Sequence, residues 1–435
     1  MACYQYAFDS LEAASSFIER IKKRSAPGQD PAGDVRAMLE DVRARGDAAL
    51  VDYTRKFDCP SFGSVLRVTD KEAERAMAKV STADLRIITD AAANIRHFHE
   101  EQKDRSWFMT RQDGSIFGQR ILPVDSAGLY VPGGKGGSTP LISSLLMQAI
   151  PAQVAGVRRV ALVSPPSEDG SLNPYLLAAA YLLDITEIYK VGGPWAIGAL
   201  AYGTQSILPV EVITGPGNVF VTEAKRQVRD VVGIDMLAGP SEILVLADAS
   251  ANADYIVADM LSQAEHDRLA SAVLIATDRF VAEKVAKGLD EALETLPRRD
   301  IAGKSLEDWG AVITVKTMKL ALEIANAIAP EHMELLVRSP WNIMPQVKNA
   351  GAVFLGPWSP EPVGDYFAGP NHVLPTQGTA RFASALSVQT FCKRTSILSA
   401  SEEFTKTNAG AIASLARLEG LEAHARSVLL RSEIG

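Results

Sequence analysis

From about residue 120 the chain alternates short apolar runs with helical patterns of ten or more residues, and few architectures accommodate that rhythm. Gly128–Val131, Arg159–Ser164, Glu187–Val191, Val210–Ile213, Ile243–Ala247, Ala272–Ala276, Ala311–Val315, Leu335–Val337 and Val353–Leu355 read as strands. Such alternation predicts an α/β fold with mainly parallel sheet, whose strands are covered by helices on both faces. Nine strands exceed one small sheet, which points to two α/β units. Ahead of them, the first hundred residues read as helices. Asp9-Ser10 caps Leu11–Lys23 before a Ser-Ala-Pro-Gly turn, Val35–Arg45 stops at Gly46, Asp47 caps a helix through Phe57, and Ser81 or Asp84 opens Leu85–Gln102. The last fifty residues, from about Ser387, read as helical. They are too short for a core of their own and are expected to pack on another domain or subunit.

With 47% hydrophobic and 22% charged residues, the 435-residue chain has ample material for a globular core. A net charge of −8 disfavours nucleic acid as a main partner. The basic knots Lys22-Lys23-Arg24 and Arg298-Arg299 read as solvated faces. Cys3, Cys59 and Cys392 are widely spaced, odd in number and outside any C-x-x-C pattern, which fits a reducing compartment rather than a disulfide framework. The start, Met1 to Tyr6, lacks the basic region and apolar run of a signal peptide. The most apolar stretch, residues 141–166, is interrupted by Gln148, Pro151, Gln153, Arg158 and Arg159, unlike a membrane-spanning helix. A soluble, cytoplasmic protein with no membrane partner is expected.

Four of the six histidines lie near carboxylates in short, turn-punctuated segments: His266 in Ser262-Gln-Ala-Glu-His-Asp267, His332 in Ala329-Pro-Glu-His332, His372 after Asp365, and His424 after Glu419 and Glu422. Histidine beside Asp, Glu and Gln suggests metal ligation combined with proton transfer, and therefore an enzyme. Gln263 and His266 are three apart in a helical pattern, which would put both on one face. Asp365 and His424 are available to complete a zinc site. Glu331-His332 follows a helical stretch and precedes a strand, so an acid and a base would stand together at a sheet edge. His97 and His99, two apart on a helix, face different ways and read as structural. Taken singly, each of these motifs is explained as well by an ordinary solvated face or turn.

The glycine segments Tyr130-Val-Pro-Gly-Gly-Lys-Gly-Gly-Ser138 and Gly215-Pro-Gly-Asn218 could bring backbone N–H groups to a phosphate, yet neither matches G-x-G-x-x-G and no Walker lysine occurs. Gly-Pro pairs recur at 193–194, 215–216, 239–240, 356–357 and 369–370 without a regular period. Several follow strands, where α/β proteins bind ligands, although plain turn chemistry explains them as well.

Taken together, from about residue 10 to residue 430, these segments resemble the histidinol dehydrogenase family. The anchors are Gly128-Leu-Tyr-Val-Pro-Gly-Gly134, Gly215-Pro-Gly-Asn218, Ala238-Gly-Pro-Ser-Glu242, Gln263-Ala-Glu-His-Asp267, Ala329-Pro-Glu-His332, Gly364-Asp-Tyr, Gly369-Pro-Asn-His-Val-Leu-Pro-Thr376 and Arg394-Thr-Ser396. The resemblance implies two related, incomplete Rossmann-like domains with small helical N- and C-terminal extensions. The units would be 1–26, then 27–129 with 243–386 for the metal and catalytic residues, 130–242 on the NAD side, and 387–435. It also implies a homodimer with one zinc per subunit, NAD as oxidant, and four-electron oxidation of L-histidinol to L-histidine through histidinaldehyde. Zinc would be held by Gln263, His266, Asp365 and His424, the last from the partner subunit. His332 would act as base for the alcohol, and Glu331 would activate water for the aldehyde. Ser241, His372 and Glu419 would shape the substrate pocket together with the zinc ligands and His332, and Tyr130 and Asn218 would contact NAD. Two departures lie on the cofactor side. Gly192-Gly-Pro-Trp195 replaces the commonest Gly-Gly-Ala-Gln, so the cofactor contact falls on Trp195, whose indole either stacks on a cofactor ring or fills the space. The loop Lys135–Thr139 is about three residues longer than usual. A paralogous zinc and NAD polyol dehydrogenase, acting for example on sulfopropanediol, is the alternative. A zinc hydrolase would lack H-E-x-x-H and leave the glycine segments unexplained.

Overall fold

The computed structural model describes residues 2–24, 30–133 and 141–432. The larger sheet contains β1 (Tyr4–Phe8), β9 (Glu242–Ala247), β10 (Ser271–Ala276), β11 (Ala311–Val315), β12 (His332–Leu336) and β13 (Ala352–Leu355), all parallel, in the spatial order β1-β11-β10-β9-β12-β13. The smaller parallel sheet takes β4 (Ser126–Tyr130), β5 (Arg159–Ser164), β6 (Glu187–Lys190), β7 (Val212–Thr214) and β8 (Gly233–Ile234), in the order β6-β5-β4-β7-β8. A third, antiparallel sheet is β14 (Cys392–Ser399), β3 (Ile116–Pro123) and β2 (Trp107–Thr110).

Apart from the edge strand β1, the two parallel sheets share one winding, in which chain order reads third, second, first, fourth, fifth across the sheet. Strand order reverses between the first and fourth strands, β9 and β12 in one sheet and β4 and β7 in the other, and such reversals open crevices in doubly wound folds. Each sheet is buried on both faces. Ile243, Val245 and Leu274 face one core of the larger sheet, and Leu244, Leu246 and Met333 face the other. The helices Ala32–Arg45 and Asp47–Phe57 bury Val35, Leu39, Val42 and Leu50 against Ala161, Tyr189 and Ile213 of the smaller sheet. These helices were grouped by resemblance with the larger sheet, but their apolar stripes are covered by the smaller one. Among the described residues no helix is long and apolar enough to cross a membrane.

All nine expected strands occur, Arg159–Ser164 and Ala311–Val315 at the expected bounds and the other seven with shifted ends. The largest shift is β12, which starts at His332 rather than Leu335 because Glu334, a buried carboxyl, interrupts the apolar run. The helix expected from Leu11 begins at Ser15. Two strands run through segments that read as helical. In β1, Tyr6 and Phe8 stack at 5.4 Å, and Tyr6 lies 5.2 Å from Phe17. In β14, Cys392–Ser399 pairs along its whole length with β3 before the helices Glu402–Leu418 and Glu422–Ser432. Both are edge strands, so neither carries the long apolar run of a strand buried on two faces.

Candidate active site

Ala329 ends the helix Met318–Ile328 with φ 55°, and Pro330 cannot continue it, so the chain turns and enters β12 at His332. β12 lies beside β9 with His332 opposite Ile243, which brings Glu331-His332 against Glu242, the first residue of β9. The Glu331 carboxylate accepts from the Glu242 N–H at 2.8 Å, and the Glu331 N–H donates to the Glu242 carboxylate at 3.2 Å. His332 Nδ1 lies 2.9 Å from the Glu242 carbonyl. A carbonyl only accepts, so Nδ1 carries the hydrogen and the Nε2 lone pair of the neutral ring is free for chemistry. Nε2 has no hydrogen-bond partner among the described residues and lies 3.5 Å from Asp365 Oδ1.

Asp365 belongs to a π-helical turn, Gly364–Ala368, directly after the short helix Glu361–Val363. Such turns widen the backbone ring and recur at functional sites. His372 returns to this turn and donates from Nδ1 to the Asp365 carbonyl at 3.0 Å. His332, Glu361 and Asp365 each offer an atom within 4.8 Å of the others. Gln263 occupies the last turn of the helix Ala253–Ala264, and His266 falls just past the Glu265 cap, so the pair straddles a helix end instead of sharing a helical face. Both amide atoms of Gln263 are buried without a hydrogen-bond partner among the described residues. Leaving a buried amide unpaired costs on the order of 1–3 kcal/mol, which marks it as a group kept for a ligand.

The electrostatics follow from burial and crowding. Burial, with the Glu242 charge adding, pushes the Glu331 carboxyl up to about 8 against the opposing pull of His332. Burial would lower His332, but Glu331, Asp365 and Glu361 together raise it to about 10. Burial works to raise Asp365 too, yet His332 and His372 hold it below the usual carboxylate range. Burial lowers both His266 and His372, keeping those rings neutral and able to donate a lone pair. Glu361 is raised to about 7, by burial first and Asp365 second.

The donor set suits zinc. The Asp365 carboxylate, whose charge reaches the His266 imidazole, and the orphaned Gln263 carboxamide are donor types that zinc accepts. Ser241 adjoins Glu242, half-buried, with its carbonyl accepting from the Ser271 N–H at 3.0 Å. His424 and Glu419 are exposed on the C-terminal helices and are not brought to this cluster within one chain. Glu361 and Glu242 were missed by the sequence reading; each stands at an element start after a proline-containing turn, the one legible signal. Arg24, read as solvated, is fully buried against Glu242 at 2.8 Å, because a guanidinium is needed to neutralise that carboxylate. Arg298 and Arg299 are exposed, as expected. His99 is buried between Gln102 at 2.7 Å and Asn371 at 3.3 Å, a structural role.

On the smaller sheet, Tyr130 ends β4 and Gly215 follows β7, at the reversal of strand order. The Tyr130 hydroxyl accepts from the Gly193 N–H at 3.3 Å. Asn218 is exposed and caps the helix Val219–Val228, accepting from the Phe220 and Val221 N–H groups at 3.1 Å each. Trp195 is buried, with its ring 5.4 Å from Tyr53 and 5.3 Å from Phe57, so the indole packs in a cluster with these two rings. The Lys135–Thr139 insertion lies outside the described residues.

A family model described as histidinol dehydrogenase matches residues 22–432. A histidinol dehydrogenase of Nitratidesulfovibrio vulgaris is 62% identical over 92% of this chain and 92% of its own length. One from Oleidesulfovibrio alaskensis is 57% identical, covering 98% of this chain and 99% of its own. The crystal structure of histidinol dehydrogenase from Elizabethkingia anophelis superposes with a TM-score of 0.94 at 36% identity, over 99% of this chain and 98% of that one. A site built from a buried acid–base pair, a carboxylate turn and an unpaired glutamine thus lies within a chain that belongs to the histidinol dehydrogenase family.

Proposed function

We propose that this protein oxidises L-histidinol to L-histidine through histidinaldehyde, using two NAD per turnover, as the last two steps of histidine biosynthesis in the cytoplasm. The observation that carries this reading is the buried Glu331-His332 pair beside Asp365. Gln263, His266 and Asp365 would hold zinc, completed by His424 from a second copy of the chain. Bound zinc would anchor the substrate by its amino and imidazole nitrogens. Ser241, His372 and Glu419 line the rest of the substrate pocket, and Tyr130 and Asn218 serve the cofactor from the smaller sheet.

His332 takes the alcohol proton at Nε2 as the first hydride leaves the substrate carbon for NAD. Its Nδ1–H, held by the Glu242 carbonyl, keeps that lone pair available. The ring has to be neutral to act, and Asp365 committed to a cation lends it less negative charge, which favours the neutral form. Glu331 then removes a proton from water as its oxygen joins the aldehyde carbon, and the resulting hydrate releases the second hydride. Burial excludes bulk water and keeps the reactive aldehyde from escaping.

The test is the NADH yield from limiting L-histidinol. Two NADH per histidinol, lost on chelation and restored by zinc, is the expected result. A yield of one would place the end of the reaction at the aldehyde. A yield of none, with turnover of sulfopropanediol instead, would overturn the substrate assignment.

A further inference from the structure

Arg24 follows the helix Ser15–Lys22 and is remote in sequence from every other residue around the site. Its side chain is completely buried. Nε donates to the Leu269 carbonyl at 2.9 Å and Nη1 to the Ile21 carbonyl at 2.7 Å. Nη2 donates to the Pro240 carbonyl at 3.3 Å and to the Glu242 carboxylate at 2.8 Å. Gln377 closes the ring, donating its backbone N–H to the same carboxylate at 2.9 Å and its side-chain amide to the Arg24 carbonyl at 2.6 Å.

Glu242 is the common member of two networks. Its carboxylate is held by Arg24 and Gln377 on one side and receives the Glu331 N–H on the other. Its N–H donates to the Glu331 carboxylate, and its carbonyl holds His332 Nδ1. We infer that Arg24 is a positioning residue for the Glu331–His332 pair, acting through Glu242. The inference rests on the reading of that pair as the acid–base machinery.

Two physical arguments carry it. A buried carboxylate without a counter-charge is strongly unfavourable, so Glu242 keeps its place only while the guanidinium faces it. A planar fork also fixes direction: its three nitrogens tie the end of the first helix, the Pro240 turn and the Leu269 loop to one point. A lysine supplies the charge without those fixed directions.

The experiment compares R24M, R24K, E242Q, the double variant R24M/E242Q and E331Q in holoenzyme. It records kcat, KM for L-histidinol, zinc content and thermal unfolding. R24M is expected to lose roughly 10–100-fold in kcat, the range for residues that orient catalytic groups, with zinc retained and KM within about twofold. R24K should recover part of that loss. The double variant should be no slower than R24M, because both changes cut the same link. Wild-type kcat in a folded R24M, losses that multiply in the double variant, or a loss confined to KM would overturn the inference. If R24M does not fold, R24K and E242Q carry the same comparison. Full histidine production by E331Q would instead sink the acid–base reading itself, whereas a slow E331Q beside a fast R24M sinks only the positioning role.

Discussion

Glu331 differs from the surface carboxylates in having no water to stabilise its charge, and its hydrogen bond from the Glu242 N–H leaves it aimed and ready to take a proton. Exchanging it for glutamine keeps the shape and removes the base. E331Q is expected to lose about 10²–10⁴-fold in histidinaldehyde oxidation while retaining zinc, measured by turnover on the aldehyde and metal analysis. Turnover at the wild-type rate would remove Glu331 from the water-activating role. A second buried carboxyl, Glu334, sits three residues on and faces Asp259; burial first, and then Asp259, raise it to about 9. An acid raised in the folded state is proton-bound there while the unfolded chain ionises it. Stability therefore falls as pH climbs from the ordinary carboxyl range towards 9. E334Q cannot ionise and can still donate to Asp259. It should be more stable than the parent by about 1–3 kcal/mol at pH 8, with the advantage vanishing below pH ~4. Denaturant melts at the two pH values check this, and a gain independent of pH would refute it. Neither carboxyl's burial is visible in the sequence, where Glu331 reads as half of an acid–base pair and Glu334 is not singled out.

Among the elements, the turn after β7 shows how a loop is fixed in place. Lys225 Nζ, buried on the helix Val219–Val228, donates to the Gly215 carbonyl at 2.8 Å and pairs with Asp235 at 2.5 Å. Asp235 in turn accepts from the Gly215 N–H at 2.8 Å. Gly215 has φ 117°, and a Cβ there would lie 2.0 Å from the Tyr130 carbonyl oxygen, so glycine is required. Replacing Lys225 by methionine leaves the Asp235 charge buried and should cost about 3–5 kcal/mol, read from the urea midpoint. A loss below about 1 kcal/mol would show that water reaches the carboxylate. The glycine motif was legible in the sequence; the Lys225–Asp235 clamp behind it was not, because its members are ten residues apart and belong to different elements. The helix end at Gln263-Ala264 is similar. Spacing alone put Gln263 and His266 on one helical face, whereas the helix stops between them. Q263L should fold and lose most of its zinc on gel filtration, because it removes a donor that no other described residue pairs. Full metal retention would exclude Gln263 as a ligand.

For the whole molecule, several exposed apolar residues lie on the last helices and the antiparallel sheet, with others spread elsewhere. Leu415, Leu418 and Leu430 are exposed, as are Trp107, Phe108 and Leu398. If His424 and Glu419 complete the site of a second copy, as proposed, the two copies exchange the same residues, an isologous arrangement. Mixed dimers of H424A and E331Q then contain one intact site each. Random reassociation of the two inactive variants should restore about a quarter of wild-type activity per chain. No recovery from a mixture shown to exchange subunits would mean that His424 serves its own chain.

The sequence by itself determined the α/β class, the nine expected strands and the family, because strands covered by helices carry apolar runs and because ordered motifs extend along the whole chain. It also named His332, Glu331, Gln263, His266, Asp365 and His372, since their residue types and spacing carry chemistry. Only the tertiary structure decided that β1 and β14 are strands, that Glu361 and Glu242 stand in the site, and that Arg24 is a buried counter-ion. Edge strands, buried charges and hydrogen-bond partners depend on what another part of the chain supplies. A guanidinium is solvated or buried according to whether a carboxylate more than two hundred residues away needs it.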